Sequence, residues 1–360
     1  GRLLMISRLT EAVRRRFARR QYLRTSGWPE FVERLDREVL NGGASLSDGE
    51  KRELFRKHVQ LVELEPHAFC NRTCSFCPNS FLDRRSPKDA LDLELYQRIL
   101  GELQHIHYAG VLRFARYSEP MAFDHIYGMV ATAREALPSA EIDLISNGDY
   151  LRPERVERLR KAGLDVLRIS IYLQGGSEWT EEAARVETAT SMQRAGLGLR
   201  ALNSSPTSVI GRGRFGTMRV TSTCHDFARV GVDRGKSLPH LTTDGYIRNS
   251  PCRFVFENFT VDYNGIVMPC CNLRSDDPDH RLYQIGNLSD GASIFDIYCS
   301  GALAKWRSEL IAVGAKRGVC SSCTQKDVPS SSIPDIERII RRKLGRIESE
   351  SDGRSSGPAG

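Results

Sequence analysis

No run of roughly 20 consecutive apolar residues, the length a bilayer core demands, occurs in the 360 residues. A helical membrane span is therefore not expected. The N-terminal stretch lacks an apolar core followed by a small-residue cleavage site, which makes the cytoplasm the expected location. Tryptophan is scarce, with three residues, so aromatic platforms will not dominate any binding surface. No strong charge imbalance exists either: 52 Lys and Arg against 45 Asp and Glu leave a formal net charge of +7. The excess sits in RRRFARR (14–20) and RRKLGR (341–346), and such runs are usually solvated helix faces. Neither a membrane nor a nucleic acid is expected as a partner.

What the chain does have is ten cysteines. In a reducing compartment clustered thiols indicate metal binding or catalysis rather than disulfides, so their spacing is informative. Around them, apolar runs alternate with helical periodicity. Strands are predicted over 58–65, 110–117, 141–146, 165–172 and 216–222, and helices over 91–106, 125–137, 153–163 and 180–195. Such alternation demands parallel strands with right-handed crossovers, in a doubly wound sheet or a full or partial barrel, with chemistry at the C-terminal strand ends. The pattern fades near residue 223. Residues 254–269 then read as a hairpin turning at Asn264–Gly265, followed by a helix over 293–310. The expected organisation is a basic helical extension over 1–55, a core over 56–235 and a smaller domain over 236–330. A basic helix and a disordered Ser- and Gly-rich tail complete it over 331–360.

Cys70, Cys74 and Cys77 form CxxxCxxC directly after the first strand. Three thiolates can hold three irons of a 4Fe–4S cubane and leave the fourth iron open, whereas a closed structural cluster takes four. Zinc with His67 as a fourth ligand is the competing reading. A ferredoxin cluster would want a C-x2-C-x2-C run. Further along, Cys252 and Cys270 bracket the hairpin, and Cys320 and Cys323 form a CxxC. These four thiolates could close around zinc or a second 4Fe–4S cluster.

At these residues the sequence resembles the radical S-adenosylmethionine (SAM) superfamily, whose signature is CxxxCxxC after the first strand. The resemblance implies an α/β fold: a partial (β/α)6 TIM-like barrel with a small C-terminal α+β auxiliary-cluster domain. It implies that SAM chelates the open iron and is cleaved by an electron from the cluster, giving a 5′-deoxyadenosyl radical. The electron would come from an external one-electron reductant, a flavodoxin or ferredoxin. Phe76 matches the position near adenine. RYSEP (116–120) stands in place of the family's GGEP, with Tyr117 and Ser118 replacing the glycines. Ser118 and Glu119 would then meet the methionine amino group. SNGDY (146–150) resembles the family's ribose-binding turn, through Ser146 and Asn147. Strand placement adds Ser170, Tyr172 and Arg200, the last for the cosubstrate carboxylate.

The second cysteine set resembles the auxiliary-cluster domains of the SPASM and Twitch kind in its G-x4-C from Gly265 to Cys270, its GNL segment at 286–288 and its later CxxC. No cysteine follows Cys323, which implies the shorter, single-cluster form. Cys271 and Cys299 read as small buried residues. Cys224, expected in the loop after the last barrel strand, is the candidate hydrogen-atom donor to a substrate radical. The implied activity is oxidation or epimerisation of a carbohydrate-like biosynthetic intermediate. The alternatives are modification of a ribosomally made peptide and a non-catalytic iron–sulfur or zinc protein.

Overall fold

The structure, a computed structural model, describes residues 21–43, 45–86, 89–173 and 178–354. The basic run at 14–20 lies outside them. Among the described residues, no helix is long and apolar enough to cross a membrane.

Ten strands form one open sheet: β1 (Leu61–Leu64), β2 (Val111–Phe114), β3 (Glu141–Ser146), β4 (Val166–Ile171), β5 (Leu199–Ser205), β6 (Ser208–Phe215), β7 (Met218–His225), β8 (Asn258–Val261), β9 (Ile266–Met268) and β10 (Gly286–Asn287). Their order is β10-β9-β8-β1-β2-β3-β4-β7-β6-β5. The run from β8 through β1, β2, β3 and β4 to β7 is parallel throughout. This unclosed parallel sheet is the expected partial barrel.

Helices cover its outer face. Leu93–His105 is typical: its buried Leu95, Tyr96, Ile99, Leu100 and Leu103 fall on one side, and Asp92 caps its start by accepting from the Leu95 amide. The helix Asp48–His58 begins with a reciprocal Ser47/Glu50 capping box. That helix absorbs His58, so β1 is shorter than the strand read over 58–65.

Two departures from the sequence reading matter for the site. First, the chain after residue 195 makes an antiparallel meander, β5 to β6 to β7, before β7 joins β4. β6 was not anticipated, because SVIGRGRF carries two glycines and two arginines and has no strand-like alternation. Second, the hairpin begins with a helical turn, Phe254–Glu257, and only then forms β8 and β9. Gly265 makes the tight turn at φ 80°. β8 pairs in parallel with β1, so the smaller unit is built onto the barrel's own sheet.

The remaining differences are local. The helix expected over 293–310 is two helices, Ile294–Tyr298 and Gly301–Ile311. The last helix runs Ile333–Arg354, into part of the tail read as disordered. The N-terminal segment is not a free extension: Trp28 and Phe31 pack edge-on in the main core, and Phe31 meets Phe256 at 5.2 Å.

Candidate active site

Strand alternation fixes what faces the barrel interior. Glu63, Arg113 and Asp143 lie side by side on β1, β2 and β3, and Thr260 of β8 lies beside Glu63. Arg113 and Arg168 both donate to Asp143 Oδ2, at 2.7 and 2.6 Å. The interior is thus charged and hydrogen-bonding rather than aliphatic. Higher on β4, Ser170 shares the face of Arg168, and Tyr172 follows just past the strand's end.

Above this floor, Cys70, Cys74 and Cys77 occupy the loop after β1. The Cys77 amide donates to the Cys74 carbonyl at 2.9 Å, and the Cys70 amide to the Arg84 carbonyl at 2.7 Å. A cavity of about 90 Å³ is lined by all three cysteines together with Phe76, Ser118, Glu119, Ser146, Asn147, Ser170 and Tyr172. The structure therefore gathers almost every residue singled out for the cosubstrate around one space. Burial, reinforced by the neighbouring thiols, pushes Cys70 up to about 12 and Cys74 up to about 11. A cation arriving here would displace those protons.

Glu119 is the carboxylate at the centre. Its Oε1 accepts from Ser146 Oγ at 2.8 Å and from the Met121 amide at 3.0 Å, and its Oε2 accepts from the Asn147 amide at 2.6 Å. Burial nonetheless raises it to about 7. Ser146 Oγ also accepts from the Gly148 amide, and Asn147 Nδ2 donates to Asn71 Oδ1 at 2.8 Å. The Ser146 hydroxyl and the Asn147 amide thus build the cradle of Glu119, and the Asn147 side chain ties it to the cysteine loop. Phe76 is sandwiched: it stacks on Phe227 at 4.0 Å and tilts against Tyr172 at 5.1 Å. A larger cavity of about 890 Å³ opens beyond it, past Arg72, Trp179, His225 and Arg229.

Cys252, Cys270, Cys320 and Cys323 line a second, smaller cavity with Arg248, Cys271, Asn272 and Trp306. Burial and the adjoining thiols push Cys320 up to about 12 and Cys270 well above the usual thiol value. Among the described residues no three His, Cys, Asp or Glu side chains are gathered tightly enough for a single metal ion. A cubane would seat each thiolate on its own iron and so spread its ligands.

A buried ionic bracket joins the two loops. Arg84 donates to Glu65 at 3.0 Å and to Asp276 at 2.8 Å, and Arg274 donates to Asp276 at 2.6 and 2.8 Å and to Asn79 at 3.0 Å. Asn79 in turn donates to the Tyr117 carbonyl at 2.9 Å, and the Tyr117 hydroxyl to the Cys271 carbonyl at 3.1 Å. Arg116 pairs with Asp262 and takes a left-handed φ of 83°. For a non-glycine residue this costs on the order of 1–3 kcal/mol, which the surrounding bracket must offset.

Two singled-out residues are not brought to the site. Cys224 is not in a loop but within β7, 1% exposed, in register with Ile171. It therefore shares the outward face of Ile171 and lies beside Trp179, while Thr223, in register with Ser170, faces inward. Arg200 is exposed on the edge strand β5, at the end of the sheet that holds Val220 and Leu167. That is the end opposite the cysteine loops. Residues that the sequence reading missed fill the space between the two cysteine sets. Arg234 feels most strongly Tyr117, Cys271, Cys77 and Tyr172, and Cys271 feels Glu63, Arg234 and Arg116. Arg234 and Glu63 carried no signal, whereas Tyr117 stood out as a bulky side chain where the family has glycine.

Residues 64–196 match the family model of the radical SAM superfamily, and residues 252–324 match SPASM, an iron-sulfur cluster-binding domain. The S-adenosyl-L-methionine-dependent 2-deoxy-scyllo-inosamine dehydrogenase of Niallia circulans is 32% identical over 108 residues, 30% of this chain and 43% of that protein. The GTP 3′,8-cyclase of Synechococcus sp. (strain CC9902) is 31% identical over 135 residues, 37% of this chain and 36% of that protein. Both matches span less than half of the relatives' lengths. Among solved structures, BtrN in complex with AdoMet and 2-DOIA superposes with a TM-score of 0.53 at 21% identity, covering 76% of this chain and 96% of that one. This last likeness is one of fold. With a radical SAM domain followed by an iron–sulfur cluster-binding domain, the chain belongs to the radical SAM superfamily, and its cofactors are 4Fe–4S clusters and S-adenosylmethionine.

Proposed function

We propose that this enzyme oxidises a secondary alcohol of a small polyhydroxylated substrate, with Cys70, Cys74 and Cys77 holding the SAM-site cluster and Cys252, Cys270, Cys320 and Cys323 holding an auxiliary one. The observation that carries the reading is that the two cysteine sets are neighbours: Arg116 and Tyr117, in the wall of the first cavity, donate to the Leu273 carbonyl at 2.6 Å and the Cys271 carbonyl at 3.1 Å, on the loop that follows Cys270. Loaded, the first site supplies a radical that removes the carbinol hydrogen and the second an acceptor for one electron; the hydroxyl proton must go to the protein. Glu63 is placed to hold that proton: it is buried beside Cys271, and its nearest cation, Arg113 Nη1, is 4.0 Å away.

The lining favours hydroxyl groups. Arg116 Nη1 in the cavity wall, and Thr260 Oγ1, Asp143 Oδ1 and Arg234 Nε near it, are buried with no hydrogen-bond partner among the described residues. A polyol can donate to some of these and accept from others, relieving the cost of about 1–3 kcal/mol that each orphaned group carries. A hydrogen-returning epimerisation loses its candidate donor, because Cys224 faces the helices. The activity of the Niallia relative, a 2-deoxy-scyllo-inosamine dehydrogenase, adds weight to a cyclitol or related substrate.

Anaerobic incubation with 2-deoxy-scyllo-inosamine and related cyclitols carrying deuterium at each carbinol tests this. Deuterium should enter 5′-deoxyadenosine from one position and a ketone should form. Cleavage of SAM at a rate indifferent to every polyol would overturn the reading.

The cosubstrate site itself should respond to pH. If Glu119 accepts from the SAM amino group, it must be ionised, and burial holds it at about 7. Its raised value means that the neutral form dominates below pH 7. SAM affinity is therefore expected to be about tenfold weaker at pH 6 than at pH 8. Equilibrium dialysis at the two pH values checks this, and Glu119→Gln should flatten the dependence.

A further inference from the structure

Asn272 follows the auxiliary cysteines and is 5% exposed. Its Nδ2 lies 3.7 Å from Cys323 Sγ, and its Oδ1 accepts from Arg234 Nη1 at 3.0 Å. A guanidinium carries donors only, so Arg234 can meet nothing but the amide oxygen, and this turns the amide nitrogen towards the sulfur. Arg248 Nη1 also lies 3.7 Å from Cys323 Sγ, but the same guanidinium holds the Cys323, Gln325 and Pro251 carbonyls. Arg248 is therefore committed to the fold of the loop. Among the described residues, these are the two side chains whose nitrogens reach a sulfur of the auxiliary set. Asn272 is the one whose orientation is set from the substrate side.

We infer that Asn272, oriented by Arg234, donates an N–H···S bond to Cys323 that raises the reduction potential of the auxiliary cluster and so fits it to accept the substrate electron. Reduction adds negative charge to a cluster and its sulfurs, and a donor aimed at a sulfur stabilises the reduced form more than the oxidised one. Each reducing equivalent taken up is one electron from the substrate radical, whose proton leaves to the protein, so the step balances as a one-electron transfer. Arg234 is a positioning residue here, and Asn272 a tuning one. The inference rests on the assignment of Cys252, Cys270, Cys320 and Cys323 as the auxiliary ligands.

An EPR-monitored redox titration of the holoenzyme tests it, with SAM added so that the SAM-site signal shifts away from the auxiliary one. Asn272→Leu removes the donor at similar volume and should move the auxiliary midpoint to more negative potential. Asn272→Asp replaces the donor with a charged acceptor and should move it further in the same direction. Arg234→Met, which frees the amide to turn and also removes a cation near both cysteine sets, should lower both midpoints. The SAM-site midpoint should stay put in the two Asn272 variants. Unchanged auxiliary midpoints in iron-replete Asn272→Leu and Asn272→Asp would overturn the inference, as would loss of the auxiliary cluster from every variant, since Asn272 would then be a fold element. A parent enzyme without a second cluster would instead refute the ligand assignment.

Discussion

Replacing Cys74 with alanine is expected to abolish 5′-deoxyadenosine formation, a loss of more than about a thousandfold, or about 4 kcal/mol of barrier. The open iron exists only while three thiolates hold the other three corners. With Cys74 gone, two remain on the loop, and His67 does not line their cavity: it is fully buried and packs edge-on against Phe123 at 4.8 Å. The loop itself should survive, because Cys74 contributes to its fold through its carbonyl, which accepts from the Cys77 amide. Chromatography of reconstituted protein under dithionite, beside a circular dichroism spectrum matching the parent, checks both halves. Substantial 5′-deoxyadenosine from the variant would mean that SAM is bound and cleaved elsewhere.

Cys320→Ala should give the complementary result. Cys320 ends the short turn Gly318–Cys320 and lines the auxiliary cavity with its three partners. Losing it should remove the auxiliary cluster while leaving the SAM-site cavity intact, since the two sites share no thiol. SAM cleavage should persist, and the oxidised product should fall by about a hundredfold or more, because the substrate radical has lost its electron acceptor. Assaying 5′-deoxyadenosine and ketone together separates the two steps. Parent-level ketone from a variant lacking the auxiliary cluster would remove that cluster from the electron path.

How far the sequence foretold this site depends on whether a residue's place is set locally. Cys70, Cys74 and Cys77, Glu119 and the Ser146–Asn147 turn were legible because each sits just past the end of a short apolar run, and parallel strands deliver such ends to one rim. Cys224 failed by a single position. A strand's end can be read only to within a residue or two, and with a period of two that margin decides between the inside and outside faces. Arg200 failed through topology: β7 and β6 stand between β4 and β5, so β5 is an edge strand, and Arg200 lies at its start, at the rim opposite the cysteine loops. Arg234, Asn272 and Glu63 carried no signal at all. Their meeting requires β8 to pair with β1 across nearly two hundred residues, and only that pairing sets the loop after Cys270 beside the barrel mouth. The hairpin itself was legible from Asn264 and Gly265, but its partner strand was not.

If Cys70, Cys74 and Cys77 leave one iron free for SAM beside a second, fully ligated cluster, Mössbauer spectroscopy of the anaerobically purified, iron-57-loaded enzyme, recorded with and without SAM, will show it. The expected result is about eight irons per chain, with a single site altered by SAM. Four irons per chain, zinc in the Cys70 loop, or spectra that SAM leaves unchanged would contradict it.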